Sequence, residues 1–419
     1  MVKKSIVLIL LTCLSMLFLS GCWGSKEPDE MGYILSMGMD KGEESILDVS
    51  FQVAIPKALG SGGEGEGTNV VSLEAASIFG AIQLGNAFTA RELTLIHNRV
   101  IIISEELAKE GLKKYLNPLI RSREARRNTF ILITSGTAKE FLNKNKPVLE
   151  KYPSRQFELL LASAQMAGFS INSTLGEITE DVKSPGREAV AALVGVNEGH
   201  KAEELARTNT EKALYEVSYL PGYVPQEGGN KIDVIGLAAF RGDKLVGYLN
   251  GSETRYYQMV TGRLKETIFT FPDPEKPDEY IIVIEIRKGR NPEFKVDLTG
   301  EKPRFEVKLI LEGEIMSIQS GINYELSKDA EKLDTYLEKI IKQEVEKVIQ
   351  KTQEDFRSDI FGFGEYTRQY FWTWQDWEDY HWLEKYPDAE IEVGVQLDIR
   401  RTGLMLRTEE IHTYYGGGE

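Results

Sequence analysis

The four histidines are the side chains of this protein best suited to proton transfer near neutral pH. His97 precedes an apolar run and could act as a general base, but the sequence assigns no second group of a catalytic triad to it. His200, His381 and His412 are far apart along the chain and lack the spacing of metal ligands. The pattern favours a hydrogen-bonded structural role for His97 and predicts no metal site and no cofactor.

A group of arginines around Glu124 could bind a carboxylate, because the guanidinium fork matches that group in geometry. Its members are Arg121, Arg123, Arg126 and Arg127. A solvated helix face that pairs with the acidic excess of the chain is the favoured interpretation. The sequence contains no GxSxG, HExxH, P-loop or CxxC motif. We therefore predict no catalytic residue and a chain that is not an enzyme.

The aromatic residues near the C-terminus allow three interpretations. The tryptophans of this region are Trp372, Trp374, Trp377 and Trp382. A sugar-stacking platform or a protein interface would use such rings. Several aromatic residues also recur at helical spacing, namely Tyr366, Tyr370, Trp374 and Trp377, followed by His381. This spacing favours one helix face packed on a sheet, with a partner interface and a sugar site as alternatives.

Cys22 has the most specific chemistry in the chain. It follows a basic start and an apolar stretch, which together are typical of a secretory signal. The run Leu19-Ser20-Gly21-Cys22 matches a bacterial lipobox, in which the thiol is diacylglycerylated and the chain is cleaved before the cysteine. We predict a signal peptide over residues 1–21 and an S-diacylglyceryl, N-acyl cysteine at position 22. An ordinary cleaved signal and a short membrane anchor are the alternatives.

Lipidation at Cys22 would leave the mature chain without a free thiol, because Cys13, the other cysteine, departs with the signal. Cysteine catalysis and disulfides are then excluded. The 419-residue chain carries a formal charge of −15, which disfavours nucleic acid as a partner. Anionic lipid would repel such a body as a whole, so buried acyl chains must hold it, at about 0.8 kcal/mol per buried methylene. Residues 24–29 then serve as a short polar tether.

The mature chain divides into three predicted domains of mixed α/β or α+β class. In an N-terminal domain over 22–196, strands alternate with helices, including a helix over 73–88; the glycine-rich run 60–67 reads as a surface excursion. A middle domain over 197–272 contains a hairpin with its turn at Arg241-Gly242-Asp243-Lys244, followed by a helix from Ser252.

The last predicted domain covers 273–419 and has the order β-β-β-α-α-β. Its first helix spans 327–356, and its apolar positions recur every three or four residues, including Leu337, Ile341 and Val345. A second helix over 360–380 and a strand over 391–399 follow. The simplest arrangement is an antiparallel sheet with two helices on one face.

Several stretches, in this order and spacing, resemble the Ger(x)C spore germination lipoproteins. They are Leu19-Ser20-Gly21-Cys22-Trp23, Gly38-Met39-Asp40, residues 91–93 with His97, residues 103–112, 121–130, 135–142 and 236–247, and Asp359-Ile360-Phe361-Gly362-Phe363-Gly364 before Trp377. The resemblance covers nearly the whole mature chain. The sequence differs from the family pattern in the residues that follow Trp23 and in the high glycine content of residues 60–67.

The resemblance implies a three-domain lipoprotein, the C subunit of a nutrient germinant receptor. Such a subunit is expected on the outer face of the spore inner membrane, beside the membrane A and B subunits. Contact with a small nutrient molecule would be indirect, and the family supplies no catalytic residue. The alternative is a solute-binding lipoprotein of a membrane transporter, which needs two similar doubly wound lobes joined by a hinge. A secreted glycoside hydrolase would need two carboxylates across a cleft.

Overall fold

The computed structural model describes residues 4–6, 27–55, 68–147, 150, 153–198, 218–325 and 327–401. Most of the predicted signal peptide, Cys22, the glycine-rich run 60–67, His200 and His412 lie outside the described residues. The described part folds into two sheets with helices packed on them. The predicted mixed α+β class is therefore confirmed.

The first sheet has nine strands in the order β3-β2-β1-β5-β6-β7-β8-β9, with β4 paired to β1. The strands are β1 (Met31–Lys41), β2 (Leu47–Ala54), β3 (Thr68–Ala75), β4 (Glu92–Thr94), β5 (Val100–Ser104), β6 (Phe130–Thr134), β7 (Val190–Val196), β8 (Ile232–Arg241) and β9 (Lys244–Leu249). Strands β1, β4, β5, β6 and β7 run parallel to their neighbours in this group. Their starts consequently lie at one edge of the sheet.

Helices cover both faces of this sheet. They are α1 (Ile78–Gly85), α2 (Glu105–Glu110), α3 (Lys113–Arg121), α4 (Ala138–Lys144), α5 (Pro153–Met166) and α6 (Leu175–Asp181). In β5, Ile101 and Ile103 enter one core, while Val100 and Ile102 enter the other. A strand that is buried on both faces is apolar at every position, which explains the continuous run in the sequence.

The helix predicted over 73–88 is shorter than expected. Residues up to Ala75 continue β3, which pairs with β2 from Ala54↔Thr68 to Leu47↔Ala75. The Ser77 hydroxyl then accepts a hydrogen bond from the Gly80 N–H and caps α1. Short apolar runs fit a strand or a helix equally well, and here the ladder to β2 decides between them.

The predicted hairpin forms as β8 and β9, and its turn contains Gly242 at φ 60°. The hairpin extends the first sheet beside β7. Helix α7 (Gly251–Val260) follows, with a reciprocal capping box between Asn250 and Glu253. Strand β10 (Glu266–Pro272) already belongs to the second sheet, so residues 232–272 contribute to both sheets. The division at 196 and 272 stays a prediction.

The second sheet contains five strands, with β10-β11-β13-β12 paired antiparallel. The remaining strands are β11 (Ile281–Lys288), β12 (Glu293–Asp297), β13 (Arg304–Ile318) and β14 (Glu390–Arg401). The predicted antiparallel C-terminal sheet is confirmed for β10 to β13. The last strand is added parallel to β13, because the helical segment between the two strands returns the chain to the side where β13 begins.

Helix α8 (Ser327–Lys351) covers one face of the second sheet, as its apolar stripe predicts. Leu333, Leu337, Ile341 and Val345 are fully buried on this stripe. The single helix predicted over 360–380 differs from what forms. A 3-10 turn spans Phe363–Tyr370, followed by the short helices α9 (Trp374–Asp379) and α10 (Trp382–Lys385). Thr373 caps α9 with its own capping box, which interrupts any continuous helix.

Candidate functional site

The segment that follows α8 forms a joint between the two sheets. The helix ends in a π-helical turn, and Arg357 adopts a left-handed conformation at φ 50°. Asp359 is then fully buried. Its carboxylate accepts hydrogen bonds from the N–H groups of Gly362 and Gly364, at 2.9 Å each, and from the Trp382 indole at 2.7 Å. One carboxylate thus organises the whole turn.

The same segment is bonded to the first sheet through its neighbours. The Ser358 hydroxyl donates to the Phe240 carbonyl at 2.5 Å. The Glu188 N–H donates to the Asp359 carbonyl at 2.9 Å, and the Glu188 carboxylate accepts from the Gly242 N–H at 2.7 Å. These contacts connect the β7 and β8 end of the first sheet to the C-terminal unit.

Two glycines allow the joint to close tightly. A methyl group on Gly364 would overlap the Trp382 ring and would lie 2.6 Å from the Gly186 carbonyl oxygen. A methyl group on Gly186 would lie 2.5 Å from the Trp377 ring. Glycine is therefore required at both positions by close packing and not by an unusual φ.

Burial changes the acidity of the carboxylates at the joint. Desolvation raises the pKa of Glu188 to about 7, and the neighbouring Asp359 charge adds to this. Desolvation also raises the pKa of Asp359 to about 6, against the opposing effect of its hydrogen bonds. The pKa of Asp181 is raised to about 6 for the same reason, although Arg187 lies 3.2 Å away. Each group is easier to protonate than an exposed carboxyl.

A cleft of about 180 Å³ opens at this joint. Arg187 lies on its wall and bridges Asp181 and Glu365, at 3.2 and 3.4 Å. Tyr257 and Arg263 complete the lining from the α7 side. Arg187 binds Asp181 and Glu365, and the Glu188 and Asp359 carboxylates bind backbone N–H groups. These contacts hold the two sheets together.

The structure separates the four clustered tryptophans into two pairs. Trp377 and Trp382 are each 1% exposed and pack in the core. The helical spacing predicted this burial for Trp377 but was wrong for Tyr366, Tyr370, Trp374 and His381, which are exposed. Trp372 and Trp374 are 98% and 53% exposed. Tyr370, which is also exposed, donates its hydroxyl to the Val296 carbonyl. The core interpretation therefore fits one pair and does not fit the other.

Arg121 ends α3, whereas Arg123, Arg126 and Arg127 lie in the loop between α3 and β6, so the predicted helix face is wrong for these three. Arg127 pairs with Glu180 at 2.5 Å. The Glu124 carboxylate accepts from the Thr94 hydroxyl and the Leu95 N–H, at 2.9 Å each, and so fixes the loop beside β4. The expected pairing with the acidic excess is thus seen for Arg127 among the described residues.

His97 packs edge-on against Tyr33, with the ring centroids 4.9 Å apart. Partial burial lowers the pKa of His97, and the charges of Arg126 and Arg99 lower it further. His381 adopts a left-handed conformation at φ 52°, just before α10. His97 thus contacts a neighbouring ring, whereas His381 occupies a turn before a helix.

The described residues contain neither a cluster of metal-ligating side chains nor a membrane-spanning helix. No group of three or more His, Cys, Asp or Glu side chains there could hold a metal ion. No helix in that part of the chain combines the length and the apolar character needed to cross a bilayer.

Comparisons with known proteins match the chain in two blocks. A family model described as "Spore germination protein N-terminal domain" matches residues 24–196. A second, described as "Spore germination B3/ GerAC like, C-terminal", matches residues 235–403. The blocks correspond to the first sheet up to β7 and to the remaining strands from β8 onward.

Full-length relatives align over almost all of their sequences. Spore germination protein KC of Bacillus subtilis (strain 168) is 25% identical, over 96% of this chain and 97% of the relative. Spore germination protein B3 of the same organism is 23% identical, over 93% and 96%. The crystal structure of the GerBC protein is similar in fold, with a TM-score of 0.53 and 17% identity, over 87% of this chain and 96% of that one.

Proposed function

Because this chain belongs to the GerAC-like family of spore germination proteins, we propose that it is the lipid-anchored C subunit of a nutrient germinant receptor. In this role it is not an enzyme. It assembles with the membrane A and B subunits, on the outer face of the spore inner membrane, and helps to relay nutrient binding.

The main support for this proposal is that two regions matching spore germination proteins follow Cys22 in the expected order. The N-terminal family block begins at residue 24, directly after the lipobox, and the C-terminal block ends at residue 403. The lipobox supplies the attachment to the membrane, and the germination-protein blocks supply the folded body. A lipid anchor of this kind places the whole body at the membrane surface, where membrane subunits are within reach.

The architecture argues against the transporter alternative. A solute-binding lipoprotein needs two similar lobes around a hinge, whereas the two sheets here have nine and five strands and unlike topologies. The joint at Asp359 is moreover held by buried hydrogen bonds and by core packing.

Replacement of the lipidated cysteine tests the anchor. We expect the Cys22→Ala protein, expressed without its partners, to carry no acyl chains. It should leave the membrane fraction for the soluble fraction or accumulate as an uncleaved precursor. Cys13→Ala is the matched control, because this cysteine leaves with the signal peptide. Mass spectrometry of the membrane-bound protein should show the acyl groups on Cys22. Full acylation and membrane retention of the Cys22→Ala protein would contradict the proposal.

The receptor role is tested in spores. We expect spores with Cys22→Ala to respond weakly to the nutrient of this receptor, while a trigger that bypasses nutrient receptors still germinates them normally. The wild-type protein should co-purify with the A and B subunits after detergent extraction. Wild-type nutrient response in spores that lack this protein altogether would refute a role in the receptor.

A further inference from the structure

The start of the described fold and several loops lie at one edge of the first sheet. Strands β1, β4, β5 and β6 are parallel, so all of them begin at this edge. The chain enters it at Met31, where β1 starts. The joint with the second sheet occupies the β7 and β8 end of the same edge. We call the other part of this edge, near the starts of β1 and β4, the entry edge.

Large apolar side chains are exposed at the entry edge. Leu84, Phe88 and Ile96 are 51%, 59% and 45% exposed. A methyl group on Gly85, at the end of α1, would lie 2.5 Å from the Leu93 side chain, and one on Gly32 in β1 would lie 3.1 Å from it. Since the end of α1 and the start of β1 pack on the same leucine, Leu84 and Phe88 lie beside the point where the chain enters.

Arginines accompany these apolar side chains. Arg91 precedes β4, and Arg123 and Arg126 lie in the loop that Glu124 fixes to Thr94 and Leu95. None of these three arginines has an ion-pair partner among the described residues, in contrast to Arg127. Acidic residues also lie at the start of the fold, namely Asp29, Glu30 and Glu92. The arginines therefore offer local contacts and not a strongly positive field.

We infer that the entry edge is the face that this protein lays on a phospholipid bilayer. Exposed Leu, Phe and Ile side chains would enter the interface between headgroups and acyl chains, while the arginines bind lipid phosphates. The inference rests on the proposed acylation of Cys22. The chain from Cys22 to Glu27 reaches at most about 18 Å when fully extended, so the entry edge is the part of the described fold held nearest to the lipid.

A single introduced cysteine can report the position of this edge, because the acylated mature chain has no other thiol. Phe88→Cys carries a spin label at the entry edge. Ile46→Cys is the matched control, since Ile46 is 56% exposed and lies between β1 and β2, at the opposite edge of the same sheet. The two edges are separated by about 33 Å, the length of β1 at 3.3 Å per residue.

The lipidated chains are bound to vesicles of phosphatidylglycerol and phosphatidylcholine, and the collision rates of each label with oxygen and with a water-soluble nickel chelate are compared. We expect the label at residue 88 to favour oxygen severalfold over the label at residue 46. Arg123→Gln together with Arg126→Gln should reduce this preference. The reduction should be larger on vesicles that contain phosphatidylglycerol than on vesicles of phosphatidylcholine alone. Equal chelate accessibility at both positions would overturn the inference.

Flotation of the vesicles separates this inference from the proposed anchor. A purified acylated chain that fails to float with the vesicles would contradict the anchor itself. A chain that floats but leaves residue 88 in water contradicts only the docking of the entry edge. Protection of residue 88 that appears only after the A and B subunits are added would assign this face to a protein partner, and would also overturn the inference.

Discussion

At the scale of single residues, the carboxylates of the joint couple its stability to pH. A carboxyl whose pKa is higher in the folded chain than in the unfolded chain holds its proton more tightly when folded. Its contribution to stability is complete below the unfolded pKa and is lost as the pH rises through the folded value. For Glu188, that window runs from 4.5 to about 7.

Glu188→Gln should therefore stabilise the protein in a pH-dependent manner. The amide keeps an acceptor for the Gly242 N–H and carries no charge toward Asp359. We expect the free energy of unfolding to exceed that of the wild type by on the order of 2 kcal/mol at pH 8, and by little near pH 5. Denaturant titrations at both values measure this difference. Glu384→Gln, at an exposed position, should show no such difference, and a pH-independent effect of Glu188→Gln would contradict the prediction.

Gly364→Ala tests the close packing at the same joint. The added methyl group would overlap the Trp382 ring, and overpacking of this kind costs about 1–3 kcal/mol. Gly300→Ala is the control, because its methyl group would lie no closer than 3.4 Å to Lys302. We expect a lower midpoint of denaturant unfolding for Gly364→Ala only. Equal midpoints for the two variants would mean that Gly364 and Trp382 are not in contact.

At the scale of elements, α8 depends on its buried stripe. Ile341 is fully buried against the second sheet, and an unpaired aspartate there would cost several kcal/mol. Lys342, one position further, is partly exposed and pairs with Glu346 at 3.7 Å. We expect Ile341→Asp to remove a large part of the stability of the domain and Lys342→Ala to change it by no more than about 0.5 kcal/mol. Similar thermal melts of the two variants would contradict the register of α8.

Local periodicity explains which elements could be predicted. Leu337, Ile341 and Val345 recur every four residues within the 25-residue helix α8, so their pattern admits a single face. Residues 360–380 show similar spacing over a shorter length, yet Trp374 is exposed and Trp377 is buried. The caps and glycines that divide this stretch act through individual hydrogen bonds, which a periodic pattern does not reveal.

The joint could not be predicted because its parts are distant in sequence. Glu188 and Asp359 meet only when β7 and the end of α8 are both in place. The run Gly362-Phe363-Gly364 belongs to the stretches that resemble the family, and its glycines indicate close approach of two backbones. What approaches them, Trp382 and the Gly186 carbonyl, follows from the assembled fold. The lipidation of Cys22, by contrast, is a prediction from neighbouring residues of the sequence.

At the scale of the whole molecule, the two sheets share a core. Val190, Leu237 and Leu249 from the first sheet lie in the same hydrophobic cluster as Phe363 and Trp382. Separation of the units would expose this cluster to water. We expect a single cooperative unfolding transition, in which near-ultraviolet circular dichroism, dominated by the buried tryptophans, and far-ultraviolet circular dichroism have the same midpoint. Two resolved midpoints would contradict a shared core.

The last strand of the second sheet covers one side of its neighbour β13. Strand β14 pairs with β13 from Arg304↔Glu390 to Glu314↔Arg401 and is the final described segment to be made. A chain that stops before residue 390 leaves that side of β13 with unpaired N–H and C=O groups, the kind of open edge that recruits other strands. Pairing of β14 therefore covers a side of β13 that would otherwise be open, and a chain truncated before residue 390 should expose that side to pairing with other strands.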